Sequence, residues 1–311
     1  MGSATGVFVG ASGADYTRLL EEAKMPSAAH FATGNSSSVL ANRLSYLYDF
    51  SGPSMQIDTA CSSSLVAVHE AVRSLRDGES QMALVCGVHL MCHPANSIYY
   101  YDAGMLSKAG HCRPFDDRAD GYVRGEGAAV LLLKPVEAAL RDGDHVYALI
   151  KGTSSNHGGR AGGLTVPNPV RQAQLLRDAW RAAEVDPSSI SLIETHGTGT
   201  PLGDPIEMRG LTQAFSSETG NCALGAMKSN IGHLEAAAGI AGLIKTVLCL
   251  QHQELPALQD FKQLNRHIRL QGTPFHFPEH HQDWPNHASA TPRRAGVSSF
   301  GSGGSNAHAI L

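Results

Sequence analysis

The chain has 311 residues, of which 42% are hydrophobic and 17% are charged. This composition supplies a large buried core and argues against intrinsic disorder. The formal net charge is −4 and no long run of Lys or Arg occurs, so nucleic acid and anionic membranes are poor candidates as partners.

The cysteines and the apolar segments indicate the cellular compartment of the protein. Six cysteines, at positions 61, 86, 92, 112, 222 and 249, form no Cys-x-x-Cys pair. The first ten residues lack the basic and apolar regions of a signal peptide. The most apolar stretch, Ala236 to Leu250, is shorter than the ~20 residues of a membrane span and contains Lys245. We therefore expect reduced thiols and a soluble, cytoplasmic protein.

Strand-like and helical segments alternate along the first part of the chain, which predicts an α/β protein. The pattern predicts strands at Val7–Val9, Ser54–Ile57, Met82–Val88 and Ala128–Leu133. The last two are continuous apolar runs, so we expect them to be buried on both faces. Helical spacing from Cys61 to Leu75 predicts a helix, and a short helical connector follows from Pro135 to Leu140.

The same scheme restarts in the second part. We expect strands at Tyr147–Ile150, Ile190–Ile193 and Ala223–Met227, and helices at Arg171–Ala183 and from Leu234 to Leu250. The polar segment Gln282–Arg294 predicts a surface loop. One layout occurs twice, around Cys61 and around His233: a strand, a small polar turn with a reactive residue and an apolar helix. This repetition indicates two similar halves that meet at one site.

Cys61 lies where a strand turns into a helix. Unpaired N–H groups of a helix start lower the pKa of a thiol, so this position favours a nucleophilic thiolate. The alternative is a buried structural cysteine, which is the more common role of a free thiol. The other five cysteines lack this setting, and for them the structural interpretation holds.

Two histidines, His196 and His233, each follow a predicted strand inside a Gly-rich turn. One cysteine with two histidines can perform acyl transfer. Gly197-Thr198-Gly199 is not a dinucleotide-binding loop, because Pro201 interrupts the helix that such a loop must open. A group of histidines in a polar segment favours a solvated loop over a metal site: His276, His280, His281 and His287.

Three motifs resemble the signatures of β-ketoacyl synthases: DTACSSSL (Asp58–Leu65), HGTGTPLGDPIE (His196–Glu207) and KSNIGHLEAAAG (Lys228–Gly239). Phe300–His308 resembles the closing glycine-rich signature of the family, and Phe115–Gly127 resembles the version found in modular type I polyketide synthases. The resemblance implies a thiolase fold, in which two similar βαβ halves form an αβαβα layered sandwich. It places the nucleophile in residues 1–134 and the two histidines in residues 135–311.

The resemblance implies an acyltransferase that performs decarboxylative Claisen condensation in polyketide chain elongation. Cys61 would carry the acyl chain, and His196 and His233 would bind a malonyl-type thioester and promote its decarboxylation. Lys228 would be the active-site lysine, with Glu235 as its nearby carboxylate.

The backbone N–H groups of Cys61 and Ser302 would form the oxyanion hole. No metal or bound cofactor is implied, since an acyl carrier protein presents the phosphopantetheine arm. The family also implies a homodimer with Ser54–Ile57 at the two-fold axis. The segments Asn156–Gly159 and Val166–Pro169 resemble modules served by a separate acyltransferase.

Relatives of this family extend further at both ends, so we expect a truncated N-terminal portion, with an opening strand missing from the middle of the first sheet. Three hypotheses follow. The first is an active condensing enzyme. The second is an inactive fragment or a non-elongating domain that binds carrier protein, and the third is a thioester hydrolase that uses Cys61.

Overall fold

The computed structural model describes residues 2–25, 28–215, 220–285 and 292–311, and its first part is built around one mixed sheet. Four strands form it, β1 (Thr5–Ala11), β2 (Ser54–Ile57), β3 (Met82–His89) and β4 (Gly127–Leu133). Their order is β2-β1-β3-β4; the first three are parallel and β4 is antiparallel to β3. The helices of this part are α1 (Asp15–Glu22), α2 (Phe31–Asn35), α3 (Ser37–Tyr48), α4 (Ser63–Arg76), α5 (Ala95–Asp102) and α6 (Val136–Asp142).

A second sheet follows with the order β5-β12-β11-β6-β7-β9. Its strands are β5 (Gly152–His157), β6 (Ile190–Glu194), β7 (Cys222–Gly225), β9 (Phe275–His276), β11 (Arg294–Phe300) and β12 (Ser305–Ile310). Two short strands, β8 (Glu254–Leu255) and β10 (Gln282–Asp283), pair separately. The helices are α7 (Pro169–Ala183), α8 (Gly203–Phe215), α9 (Lys228–Ile231) and α10 (Ala238–His252).

Apolar side chains stack these elements into five layers. One core cluster joins both sheets through α4 and α10, and its members include Phe8, Leu65, Ile240, Leu243 and Val297. A second cluster packs α7 and α8 on the outer face of the second sheet, with Leu176, Trp180, Met208, Leu211 and Leu224. On the outer face of the first sheet, α3 packs through Ala41. The predicted αβαβα thiolase arrangement is confirmed.

The two central helices approach each other closely near their N-termini. A Cβ atom at Gly239 would lie 2.7 Å from the Cβ of Leu65 and 2.9 Å from its backbone nitrogen, so only glycine permits this contact. The backbone N–H of Ile240 donates to the hydroxyl of Ser64 at 3.0 Å. These contacts fix the start of α10 against the start of α4, and the residues before both starts are the candidate catalytic residues.

Most predicted elements are confirmed within a few residues, but Tyr147–Ile150 is not a strand. Ala148 and Ile150 pack against the core between the sheets, while Tyr147 and Leu149 remain exposed. The strand that pairs with β12 is instead the polar segment Gly152–His157. Four consecutive hydrophobic residues therefore did not identify a strand, because pairing depended on the position of β12.

Three further expectations are corrected. The strand β4 is not buried on both faces, since Val130 and Leu132 are 60% and 61% exposed. The first sheet has no gap in its middle, because β1 pairs continuously with β2 and with β3. Within Gln282–Arg294, residues 286–291 lie outside the described residues, and Trp284 is only 1% exposed. Its indole N–H donates to the hydroxyl of Ser191 at 2.9 Å, so the segment carries a core residue.

Candidate active site

Cys61 lies in the short 3₁₀ turn Ala60–Ser62, between the end of β2 and the start of α4. Ala60 has a left-handed backbone with φ of 55°, which is unfavourable for a residue with a side chain. Behind the turn, the hydroxyl of Ser299 in β11 donates to the carbonyl of Cys61 at 2.8 Å. The second sheet therefore holds the turn that presents the thiol.

The thiol of Cys61 is not activated in the way that its helix start predicts. Burial, followed by the negative charge of Glu235, raises its pKa from 9.0 to about 11. The charge of Lys228 and the backbone N–H groups of Ser302 and Cys61 act in the opposite direction. The expected lowered pKa is wrong, because desolvation of a thiolate outweighs the donors around it. Both N–H groups nevertheless point toward the sulfur.

His233 follows β7 and α9 and is 1% exposed. Its Nδ1 accepts the backbone N–H of Glu235 at 3.0 Å, so the neutral ring carries its proton on Nε2. The Nε2 atom is buried and has no hydrogen-bond partner within the described residues. Burial lowers the pKa of His233 well below 6.5, and the charge of Lys228 lowers it further. The imidazole is therefore neutral and is a donor at Nε2.

His196 follows β6 and faces His233, with ring centroids 5.5 Å apart at an interplanar angle of 83°. Its Nδ1 accepts the backbone N–H of Phe300 across 3.4 Å, which again leaves the proton on Nε2. Burial and the charge of Lys228 lower its pKa well below 6.5. The Lys228 ammonium is buried and donates to the carbonyl of His196 at 2.5 Å. Lys228 thus orients the turn that carries His196.

One cavity of about 960 Å³ collects most of the predicted site residues: Cys61, His196, His233, Glu235 and Ser302. Lys228 is not among the residues that line it. The cavity contains a thiol, two neutral imidazoles with N–H donors and two backbone N–H groups near the sulfur. This set can hold a thioester at Cys61 and polarise a second carbonyl opposite it.

Glu235, which the family resemblance implies as the carboxylate near Lys228, forms an ion pair with Arg124. Nε of Arg124 lies 2.5 Å from Oε1 of Glu235, and the guanidinium also donates to Oε2 at 3.2 Å. The carboxylates whose charges act on Lys228 are instead Glu194 and Glu207.

Buried carboxylates behind the histidines were missed as positioning groups. Glu207 accepts the N–H groups of His196 and Gly197 at 2.7 and 2.8 Å, and burial raises its pKa to about 7. Glu194 accepts the N–H of Met227 at 2.7 Å and pairs with Lys245 at 2.6 Å. A carboxylate at the end of a buried apolar strand, as at Glu194, is the sequence signal that could have indicated such a role.

Two negative findings apply to the described ranges, with their gaps at 26–27, 216–219 and 286–291. In these ranges no group of three or more His, Cys, Asp or Glu side chains is placed to bind a metal ion. His287 of the proposed histidine loop lies outside them. None of the helices described there is long and apolar enough to cross a bilayer.

Two family models match the chain, "Beta-ketoacyl synthase, N-terminal domain" over residues 1–139 and "Beta-ketoacyl synthase, C-terminal domain" over residues 147–262. The polyketide synthase PksM of Bacillus subtilis is 48% identical over 98% of this chain, which corresponds to 7% of that protein. A protein of the phenolphthiocerol/phthiocerol polyketide synthase of Mycobacterium tuberculosis is 46% identical over 100% of this chain and 20% of its own length.

Solved structures give the same result. The ketosynthase domain OzmH KS7 for oxazolomycin from Streptomyces albus superposes with a TM-score of 0.94 at 42% identity. The ketosynthase from module 6 of the bacillaene synthase of Bacillus subtilis superposes with a TM-score of 0.93 at 40% identity. Both matches cover 99% of this chain, and the chain spans about half, 54%, of each solved ketosynthase.

Proposed function

The chain belongs to the β-ketoacyl synthase family, as a ketosynthase of polyketide synthases, and we propose that it performs decarboxylative Claisen condensation in polyketide chain elongation. One observation carries the proposal. The thiol of Cys61 shares a cavity with two neutral imidazoles, each of which has its proton on Nε2. A nucleophile and a pair of neutral donors are what the two half-reactions of condensation require.

In the first half-reaction, the sulfur of Cys61 attacks the carbonyl carbon of an incoming acyl thioester. The N–H groups of Cys61 and Ser302 stabilise the negative oxygen of the tetrahedral intermediate. The bond to the pantetheine sulfur breaks, and the proton of the Cys61 thiol leaves with that sulfur. Because burial raises the pKa of Cys61 to about 11, the thiol loses its proton during the attack rather than before it.

In the second half-reaction, a malonyl-type thioester places its carbonyl oxygen between Nε2–H of His196 and Nε2–H of His233. The carboxylate leaves as CO₂, and its electron pair forms an enolate that both N–H groups stabilise. The enolate carbon attacks the Cys61 thioester, which forms the new carbon–carbon bond and breaks the carbon–sulfur bond. The released Cys61 sulfur takes up one proton, so atoms and charge balance.

The proposed partner is an acyl carrier protein that delivers both thioesters on its phosphopantetheine arm. Residues 157–161 and 163–168 line the cavity on the side of the second sheet, and they include most of the two runs, Asn156–Gly159 and Val166–Pro169, that resemble modules served by a separate acyltransferase. We assign the chain to that type of module because of these runs.

We also propose a homodimer formed through β2. This strand lies at one edge of the first sheet, opposite β4, and its Met55 side chain is 40% exposed. Pairing of β2 with its copy across a two-fold axis would satisfy its outer N–H and C=O groups. Sedimentation of the purified chain at micromolar concentration as a dimer supports this assembly, and sedimentation as a monomer contradicts it.

The test of the function is intact-protein mass spectrometry after incubation with an acyl-pantetheine thioester. The unmodified chain is expected to gain a single acyl adduct, which the Cys61→Ala variant does not gain. Addition of a malonyl-pantetheine thioester is then expected to remove the adduct and to release CO₂ and a β-ketoacyl thioester.

The alternatives give different results. A folded chain that gains no adduct is a non-catalytic domain, and the condensing function is then wrong. An adduct that disappears as free acid, faster than any condensed product forms, identifies a thioester hydrolase. The Cys92→Ala variant is the matched control, because Cys92 is an exposed thiol that does not line the cavity.

A further inference from the structure

The backbone of Glu235 has an unusual conformation directly beside a catalytic histidine. Its φ is 43°, in the left-handed region that glycine adopts readily and other residues avoid. In this conformation the N–H of Glu235 reaches Nδ1 of His233 at 3.0 Å. That hydrogen bond is the contact that leaves the His233 proton on Nε2, so an unfavourable backbone conformation is coupled to the tautomer of the imidazole.

The side chain of Glu235 is held by a buried arginine 111 positions away in sequence. Nε of Arg124 and its terminal nitrogen approach the two carboxylate oxygens at 2.5 and 3.2 Å, which is a bidentate arrangement. Arg124 and Glu235 are only 9% and 8% exposed. Because water cannot easily reach either charge, each group requires the other in a fixed place.

Arg124 is itself fixed on several sides. Another of its nitrogens donates to the hydroxyl of Ser97 in α5 at 2.7 Å, and its guanidinium carbon lies 5.2 Å from the ring centroid of Tyr100. A third contact, at 3.4 Å, connects it to Nε2 of His89. These contacts fix the position of Arg124 independently of its ion pair with Glu235.

The segment around Arg124 also holds the backbone of His233. The N–H of His233 donates to the carbonyl of Val123 at 2.7 Å, and the N–H of Gly125 donates to the carbonyl of His233 at 2.9 Å. Residues 123–125 thus contact His233 through its main chain and contact Glu235 through a side chain. The same three residues therefore fix the backbone of His233 and, through Glu235, the hydrogen bond to its Nδ1.

We propose that the Arg124–Glu235 ion pair is a positioning device for His233. By holding Glu235 in the left-handed conformation, the pair keeps the Glu235 N–H on Nδ1 and thereby keeps Nε2–H directed into the cavity. Arg124 and Glu235 are positioning residues here, because the group that acts on the thioester is His233. This inference rests on the proposed condensing function for its kinetic consequence, whereas its structural consequence is independent of that function.

The test compares two double variants that differ by one methyl group, Arg124→Met/Glu235→Gly and Arg124→Met/Glu235→Ala. Both remove the two charges together, so neither leaves an uncompensated buried ion. Glycine adopts a φ of 43° readily, whereas alanine disfavours it. The fraction of molecules with residue 235 in the left-handed conformation should therefore be about 5- to 30-fold higher in the glycine variant. The measurements are the rate of malonyl-thioester decarboxylation, the rate of Cys61 acylation and the ¹⁵N chemical shifts of the His233 ring.

The glycine variant is expected to decarboxylate about 5- to 30-fold faster than the alanine variant, while both acylate Cys61 at one rate. The ¹⁵N spectrum of the glycine variant should retain the Nε2–H tautomer of His233, and that of the alanine variant should lose it. The His233→Gln variant identifies the resonance, because its spectrum lacks it. Equal decarboxylation rates together with one shared tautomer overturn the proposal and leave the pair with a role in stability alone.

The two kinds of failure are separable. If the unmodified chain gains no acyl adduct, the condensing function is wrong, yet the tautomer comparison still decides the role of the ion pair. If the unmodified chain condenses and the two variants share one tautomer, the ion pair does not position His233. Thermal unfolding of both double variants controls for unequal folding.

Discussion

The two sheets share one arrangement of four strands and differ at both edges, because β9 pairs with β7 while β2 is the last described strand at the corresponding edge of the first sheet. In the first sheet β2, β1 and β3 are parallel and β4 is antiparallel; in the second, β7, β6, β11 and β12 repeat that order and those directions. In the second sheet β5 covers the outer edge of β12. The outer edge of β4 has no partner strand among the described residues, and the outward-facing side chains of β4 are exposed.

The repeated arrangement explains why chemistry occurs at equivalent places. In the first half, Cys61 lies between β2 and α4. In the second half, His233 lies between β7, the strand that corresponds to β2, and α10. The first half supplies a nucleophile there and the second half supplies a donor. Two halves with the same strand arrangement can therefore supply different catalytic groups, a thiol and an imidazole, because the turns at equivalent strand ends converge on the same cavity.

The largest expected effect separates these two contributions. Replacing His196 or His233 by Ala removes a donor for the enolate oxygen but leaves Cys61 and its oxyanion donors in place. Malonyl decarboxylation is therefore expected to fall about 100- to 1000-fold, with Cys61 acylation nearly unchanged. Rapid-quench assays of the two half-reactions measure this division. Loss of acylation in folded His233→Ala protein would show that the halves do not divide the chemistry in this way.

The next effect concerns the thiol of the first half. With a pKa of about 11 instead of 9.0, Cys61 has about 100-fold less thiolate at pH 8 than an ordinary thiol. Its alkylation by iodoacetamide should rise about tenfold per pH unit up to pH 11. Glu235→Gln removes a negative charge that raises the pKa, so its alkylation curve should move to lower pH. A curve that levels off below pH 8 would indicate an activated thiolate.

A smaller effect tests the covered strand of the second sheet. Ala309 in β12 is fully buried and pairs with Val297 on one side and Thr153 on the other. The Ala309→Val variant adds two methyl groups to a filled core and should lower the free energy of unfolding by about 1–3 kcal/mol. Urea denaturation measures the change. A stability equal to that of the unmodified chain would mean that the core beside β12 is not tightly packed.

The smallest effect is expected at the uncovered strand of the first sheet. Val130 in β4 is 60% exposed, so Val130→Lys should change the free energy of unfolding by no more than about 0.5 kcal/mol. A charge on an apolar edge strand should also reduce self-association, which light scattering measures at rising concentration. A destabilisation similar to that of Ala309→Val would show that β4 is covered in solution.

The sequence predicted those features that are encoded locally. Ser54–Ile57 has the bounds that were predicted, and α7 ends at the predicted Ala183 but begins at Pro169, two residues before the predicted Arg171. Cys61, His196 and His233 were identified because each lies in a small polar turn at the end of a strand. Tyr147–Ile150 was misassigned because a short run of hydrophobic residues does not by itself identify a strand, and strand pairing depends on a partner that is distant in sequence.

The strand and helix patterns of the sequence determined an α/β protein with two similar halves, and the resemblance of its motifs to those of β-ketoacyl synthases implied the thiolase arrangement and the cysteine and two histidines of the cavity. Only the tertiary structure decided that Glu235 pairs with Arg124, that Lys228 lies behind His196, and that burial raises the pKa of Cys61. The physical reason is that strand patterns and turns depend on neighbouring residues. Desolvation and charge pairing depend on which distant groups the fold brings within a few ångströms.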